Sequence, residues 1–260
     1  MRIMLVGDVV GRAGRRAFRT ITPRLRTERG IDVVIVNGEN SAGGKGYTRK
    51  ALDELYAGGA DVVTSGNHVW DKKEVFDFVD DEPFLVRPAN YPEGTPGHGY
   101  CIFPFRTAHI AVMNLSGRSF MPALDCPFQK ADEILAEITG KADLVVLDFH
   151  AETTSEKLAM GYYLDGRASI VVGTHTHVQT ADERILPGGT AYITDLGMVG
   201  PYDSILGVRK DAVIQKFRTG MPARFDMAEG AAEYAAVIVD IDPSGGRTPQ
   251  IERVLLREQD

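Results

Sequence analysis

The chain has 260 residues, 43% of them hydrophobic and 25% charged, and a formal net charge of −7. That length fits one α/β domain spanning residues 1–260, and the acidic balance argues against a non-specific DNA binder or a protein held on an anionic membrane. No run approaches the roughly 18–20 apolar residues of a membrane span, and two cysteines in such a chain, Cys101 and Cys126, suit a reducing compartment, so the cytoplasm is the expected location.

The opening MRIMLVG reads as a strand, too short for the apolar region and cleavage site of a signal peptide, and Asp8 follows it. Ala13–Arg29 is predicted helical, with Ala17, Phe18, Ile21 and Leu25 at helical spacing and Gly30 as the stop. A strand over Asp32–Val36 leads to Glu39 and Asn40, then to a glycine-rich loop, Ser41–Gly46. Thr48–Ala57 reads as a short helix with Thr48 as N-cap. A strand over Asp61–Ser65 runs into Asn67 and His68, and Asp71–Val79 is predicted helical. Between Pro83 and Pro104 proline and glycine are dense, and Gly99–Phe103 with His109–Asn114 reads as a β pair. Leu115–Pro127 is a predicted loop, Phe128–Ile138 a helix, and the run DLVVLDF a strand ending at His150. After a helix over Thr154–Gly161, the strand SIVVGT ends at His175 and His177. Short strands over Arg184–Leu186, Ala191–Thr194, Ala235–Asp240 and Gln250–Leu256 complete the chain.

Five of these runs are short, rich in Val, Ile and Leu, and end in a residue able to bind a metal. Ligands in open α/β sheets sit outside the carboxyl ends of the strands. Side by side, these ends bring two carboxylates, two amides and four imidazoles to one crevice. Hard oxygen mixed with borderline nitrogen suits two transition-metal ions better than one. A lone histidine after a strand is ordinarily a core or surface residue, but here four of the six histidines follow strands; His98 and His109 do not and keep the ordinary reading. In a regular strand His175 and His177 would share a face. Asp8 taken alone reads equally as a helix cap. Glu39 can bridge two cations with its two oxygens, and Asn40 beside it can reach inward. A phosphate-cradling loop is the competing reading of both glycine-rich segments. The first, from Gly7 to Gly14, is spaced G-x-x-x-G-x-x-G instead of G-x-G-x-x-G, and the second has Gly46 where Ser or Thr would bind magnesium. Arg12, Arg15 and Lys45 lie near strand ends and read as solvated surface charges before phosphate contacts.

The ordered segments GDVVG, NGEN, GNHVWD, FHAE and GTHTHVQT resemble the calcineurin-like metallophosphoesterases, and within them the YmdB-like bacterial cyclic-nucleotide phosphodiesterases. The resemblance runs from Arg2 to about Gly200 and departs from the wider superfamily twice. Val10 stands where a metal-binding histidine is usual, and Glu39 where the bridging residue is usually aspartate; Asn40 is the donor available to fill the first gap.

The resemblance implies an α/β four-layer sandwich of two mixed β-sheets flanked by helices. It implies one metal held by Asp8, Glu39, Asn40 and His177, and a second held by Glu39, Asn67, His150 and His175. His68 would face the scissile phosphate and protonate the leaving oxygen. Iron is favoured, then manganese, with zinc compatible. The implied substrate is a small phosphodiester, with 2′,3′-cyclic nucleotides leading. Two cations about 3.5–4 Å apart can share a hydroxide for in-line attack on phosphorus and neutralise the charge that develops on the phosphate. They also dominate the local field, so an acidic protein can accept an anion, and an imidazolium helps an alkoxide leave. The alternatives are another phosphoesterase activity, on monoesters or in RNA processing, and a regulatory nucleotide-binding protein with little turnover. A homo-oligomer is compatible with the sequence.

Overall fold

The computed structural model describes residues 1–244 and 249–258. In chain order its first half contains β1 (Arg2–Val6), β2 (Asp8–Val9), α1 (Gly11–Glu28), β3 (Val33–Asn37), α2 (Arg49–Ala57), β4 (Val62–Thr64), β5 (Leu85–Val86), β6 (Tyr100–Phe105), β7 (Ala108–Ser116) and α3 (Pro127–Ile138). The second half adds β8 (Leu144–His150), α4 (Thr154–Tyr163), β9 (Ile170–Thr174), β10 (Arg184–Ile185), β11 (Ala191–Ile193), β12 (Met198–Pro201), α5 (Lys210–Thr219), β13 (Ala232–Asp240) and β14 (Gln250–Arg257).

The strands form two mixed sheets. In the first, β1, β3, β4 and β5 run parallel, and β13 pairs antiparallel with β1, β12 and β14. In the second, β7, β8, β9 and β11 run parallel, with β6 and β10 antiparallel at the edges.

Strand periodicity builds the layers, because successive side chains point to opposite faces. Met4, Val6, Val34, Val36 and Val63 pack against Phe18, Ile21 and Leu25 of α1 and Leu52 and Leu55 of α2. The intervening Ile3, Leu5, Val33, Ile35 and Val62 meet Ile110, Val112, Val146, Ile170 and Val172 of the second sheet. The far face of that sheet, with Ala111, Met113, Leu147, Phe149 and Val171, is covered by Ile134 and Ile138 of α3 and Met160 and Leu164 near α4. The order is therefore helix, sheet, sheet, helix, the four-layer sandwich expected. It explains why the central strands read as continuous apolar runs: both of their faces are covered.

Thr48 caps α2 as expected, its hydroxyl accepting from the Ala51 N–H at 3.2 Å. The segment Asp71–Val79 is not an α-helix; it closes only as a 3₁₀ turn over Lys73–Asp77. Asp77, Asp80 and Asp81 gather at its carboxyl end, where the helix dipole disfavours negative charge. The hairpin of β6 and β7 forms as predicted, and β7 extends to Ser116, alongside His150.

Candidate metal centre

The carboxyl ends of β3, β4, β8 and β9, with β2 beyond β1, deliver all the expected ligands to one crevice between the sheets. Asp8, Glu39, Asn40 and His150 are buried there. The side chains gather in two groups. In the first, Asn40 Nδ2 lies 3.3 Å from Asp8 Oδ1, 3.2 Å from Glu39 Oε1 and 3.1 Å from His177 Nε2, and His177 Nε2 is 3.8 Å from Asp8 Oδ1. In the second, His150 Nε2 lies 3.1 Å from Glu39 Oε1, 2.9 Å from Asn67 Oδ1 and 3.0 Å from His175 Nδ1. Glu39 Oε1 belongs to both.

The outer nitrogen of each histidine tells which inner atom is a lone pair. The Thr174 hydroxyl donates to Asp148 Oδ1 at 2.7 Å, so it accepts from His150 Nδ1 at 2.9 Å. His175 Nε2 lies 3.0 Å from Glu152 Oε2 and His177 Nδ1 lies 3.1 Å from the Leu206 carbonyl. Each partner is an acceptor and draws the ring hydrogen outward, the arrangement that fixes the tautomer of a metal-binding imidazole. With His150 and His175 neutral, His150 Nε2, His175 Nδ1, Glu39 Oε1 and Asn67 Oδ1 face one another as acceptors with no hydrogen to share; without a metal, a proton on His150 fills that need, which is why its pKa is raised. A cation fits such a cradle; hydrogen bonding among neutral groups does not. Asn40 turned by 180° presents an oxygen to the atoms its nitrogen now faces.

His68 stands outside both ligand groups. Its N–H donates to Glu39 Oε2 at 2.8 Å, and its ring Nδ1 lies 3.0 Å from Asp71 Oδ2. The ring is 26% exposed. Gly66 just before Asn67 has to be glycine, since a Cβ there would stand 2.4 Å from both Glu39 Oε2 and His150 Nε2.

A profile describing YmdB-like protein matches residues 4–254. The chain belongs to this family. It is 55% identical over 258 residues to a Bacillus subtilis strain 168 protein named 2′,3′-cyclic-nucleotide 2′-phosphodiesterase, covering 99% of this chain and 98% of that protein. Two solved structures superpose with a TM-score of 0.94. One is described as a hypothetical protein from Thermus thermophilus, 43% identical with all of both chains covered; the other is described as a novel phosphatase from Mycoplasma pneumoniae, 36% identical with 100% and 94% covered. With relatives named as phosphodiesterase and phosphatase, this YmdB-like chain is an enzyme of the metallophosphoesterase class.

In this family member the first-motif departure is visible in three dimensions. Val10 is buried and apolar, and Asn40 occupies the space among Asp8, Glu39 and His177. The buried carboxylates and imidazoles shift one another's protonation. Burial raises the Asp8 carboxyl to about 6, against the pull of His177 and His150. Burial also raises Glu39, but His150 and the His68 N–H outweigh it and bring the carboxyl down to about 2. His150 is raised to about 9: burial opposes the charge, and Glu39, Asp8 and Asp148 together overcome it. His175 falls to about 3 through burial and the neighbouring His150 charge.

Two details differ from the sequence reading. His175 and His177 do not share a strand face: β9 ends at Thr174, and both histidines are in the left-handed region, at φ 101° and 62°. The turn, not strand alternation, sends one imidazole to each group. Arg12 and Lys45 are the surface charges expected, facing Glu229 and Asp71. Arg15 is largely buried instead, bound to Glu54 at 2.7 Å and to the Ser41 carbonyl, so it ties α1 to the glycine-rich loop.

The partners that orient the ligands escaped the sequence reading. Asp148 accepts from Thr174, from Thr64 at 2.5 Å and from Asn37 at 3.0 Å, all buried. A carboxylate inside the apolar run LVVLDF was the available signal. Glu152 closes the FHAE segment and Asp71 the GNHVWD segment, but their roles require the tertiary geometry.

Proposed function

We propose that the chain hydrolyses small phosphodiesters, 2′,3′-cyclic nucleotides foremost, at a centre for two transition-metal ions within one domain spanning residues 1–260. The observation that carries this reading is the pair of candidate ligand groups meeting at Glu39 Oε1, the second lined by acceptors and the first completed by the Asn40 amide. Asp8, Glu39, Asn40 and His177 would hold one ion; Glu39, Asn67, His150 and His175 would hold the other. The donor set mixes carboxylate, amide oxygen and imidazole, which suits iron or manganese and is compatible with zinc. Ions bound there supply charge neutralisation for the phosphate oxygens and acidify bound water.

The protein's own contribution is position and a proton. Glu39 Oε2 accepts the His68 N–H, which ties the acid to the ligand shell. Asp71 engages His68 Nδ1 and leaves Nε2 to carry the proton to the leaving oxygen. The B. subtilis relative's name supports a cyclic nucleotide as the substrate. Both cysteines are free, in keeping with a reducing compartment such as the cytoplasm.

Metal analysis of anaerobically purified protein, paired with rates on a cyclic diester and a monoester, tests the reading. Two ions per chain and a preference for the cyclic diester are expected. Full activity with a single ion overturns the dinuclear centre. Preference for the monoester replaces the substrate, and tight nucleotide binding without turnover replaces catalysis by sensing.

A further inference from the structure

Lys157 in α4 and Asp195 after β11 belong to neither ligand group, yet each side chain is only 1% exposed, and Lys157 Nζ lies 2.5 Å from Asp195 Oδ2. Taking two charges out of water brings little net stability, so the pair's role is to be sought in its contacts. Asp195 Oδ2 also accepts the Thr176 N–H at 3.1 Å and the Thr176 hydroxyl at 2.7 Å, and Oδ1 accepts the Gly197 N–H at 2.8 Å. Thr176 is the residue between His175 and His177. Both of those carry left-handed backbone, which a non-glycine residue keeps only where its surroundings over-determine it. The approach is close: a Cβ on Gly173 would stand 1.8 Å from the Thr194 carbonyl oxygen and 2.9 Å from Lys157 Cδ. Glycine at the end of β9 lets the lysine stem and the Asp195 segment close on the turn.

We propose that Asp195, held in place by Lys157, is a positioning residue of the metal centre: through Thr176 it sets the turn that aims His175 into one ligand group and His177 into the other. The proposal rests on the two-cation reading above. It makes both sites depend on one carboxylate that touches neither ion. Thr176 is the place to test it, because a valine there keeps the shape, the backbone N–H and the buried ion pair, and removes only the hydroxyl donor.

The test is calorimetric titration of manganese(II) into the full-length chain after chelation, for wild type, Thr176→Val and Thr176→Ser, with His177→Ala as a one-site control. Thr176→Val should weaken both sites by about 10-fold or more, the usual effect of losing an outer partner of a metal ligand. Thr176→Ser, which restores the hydroxyl, should bind nearly as wild type, and His177→Ala should damage one site. Thr176→Val should remain folded in excess chelator, its thermal midpoint lowered only by the few degrees that loss of one hydrogen bond to a buried carboxylate costs. Two wild-type ions with unchanged affinities in Thr176→Val overturn the proposal alone, as does weakening confined to one site. Uptake of a single ion by wild type overturns the two-cation reading and this proposal with it. The double variant Lys157→Met/Asp195→Asn, which removes both charges together, should also weaken both sites. If it binds as wild type, the proposal fails; if it does not fold, the two Thr176 variants decide.

Discussion

Glu39 Oε1 is the atom on which the dinuclear reading turns, since it lies 3.2 Å from Asn40 and 3.1 Å from His150. Glu39→Gln keeps the shape and removes the charge and one acceptor oxygen, so it should lose metal and activity together. Retention of both ions at full rate would place the bridge elsewhere. Asn40→Ala has a narrower effect. Val10 cannot coordinate, so one affinity should fall by at least about 10-fold while the other stays near wild type; a titration with two unchanged affinities would show that another group fills the gap. His68→Ala should keep both metals and slow turnover by about 10²–10⁴-fold, the worth of a positioned acid. The loss should be largest for an alkoxide leaving group and smaller for a nitrophenolate, which needs no proton. Equal losses on the two substrates would leave His68 as a phosphate contact, and loss of metal would make it a ligand.

At the scale of the elements, the ends of four strands set the site's dimensions, and β4 is the tightest of them. Gly66→Ala forces a methyl into Glu39 and His150. It should lower stability by roughly 1–3 kcal/mol, the usual effect of overpacking, and reduce metal uptake, measured by thermal melting and elemental analysis. The strands that carry ligands were legible because each is a short apolar run closed by a polar residue. That the polar residues closing them would meet in one crevice was legible for the same reason. What was not legible is whatever depends on a partner from another element. The tautomer of His150 depends on Thr174, that of His175 on Glu152 and that of His177 on the Leu206 carbonyl. Spacing along one segment contains none of these pairings. The two-residue strands β2 and β5 are too short to show a period. Among the residues of α5 only Val213 is buried, so no apolar stripe announces that helix.

For the molecule as a whole, the layers follow from the central strands having both faces covered, and the candidate ligands follow from where those strands stop. The long-range pairing of β1 with β13, Arg2 opposite Asp240 and Val6 opposite Ala236, joins the first ligand segment to residues more than 200 positions later. The carbonyl behind His177 comes from Leu206, and β12, which pairs with Asp8 and Val9, is itself held by β13. This connectivity has a consequence for biosynthesis. A chain emerging from the ribosome at about 5–20 residues per second exposes Asp8 early, but β12, which pairs with it, and β13, which holds β12, emerge late in synthesis. The crevice proposed to bind metal therefore matures only after β13 has left the exit tunnel. Ribosome-bound chains arrested before Ala232 should fail to retain manganese, and full-length chains tethered through an added C-terminal linker long enough to bring β14 out of the tunnel should retain it. Retention by the shorter chains would show that the crevice forms without its closing strand.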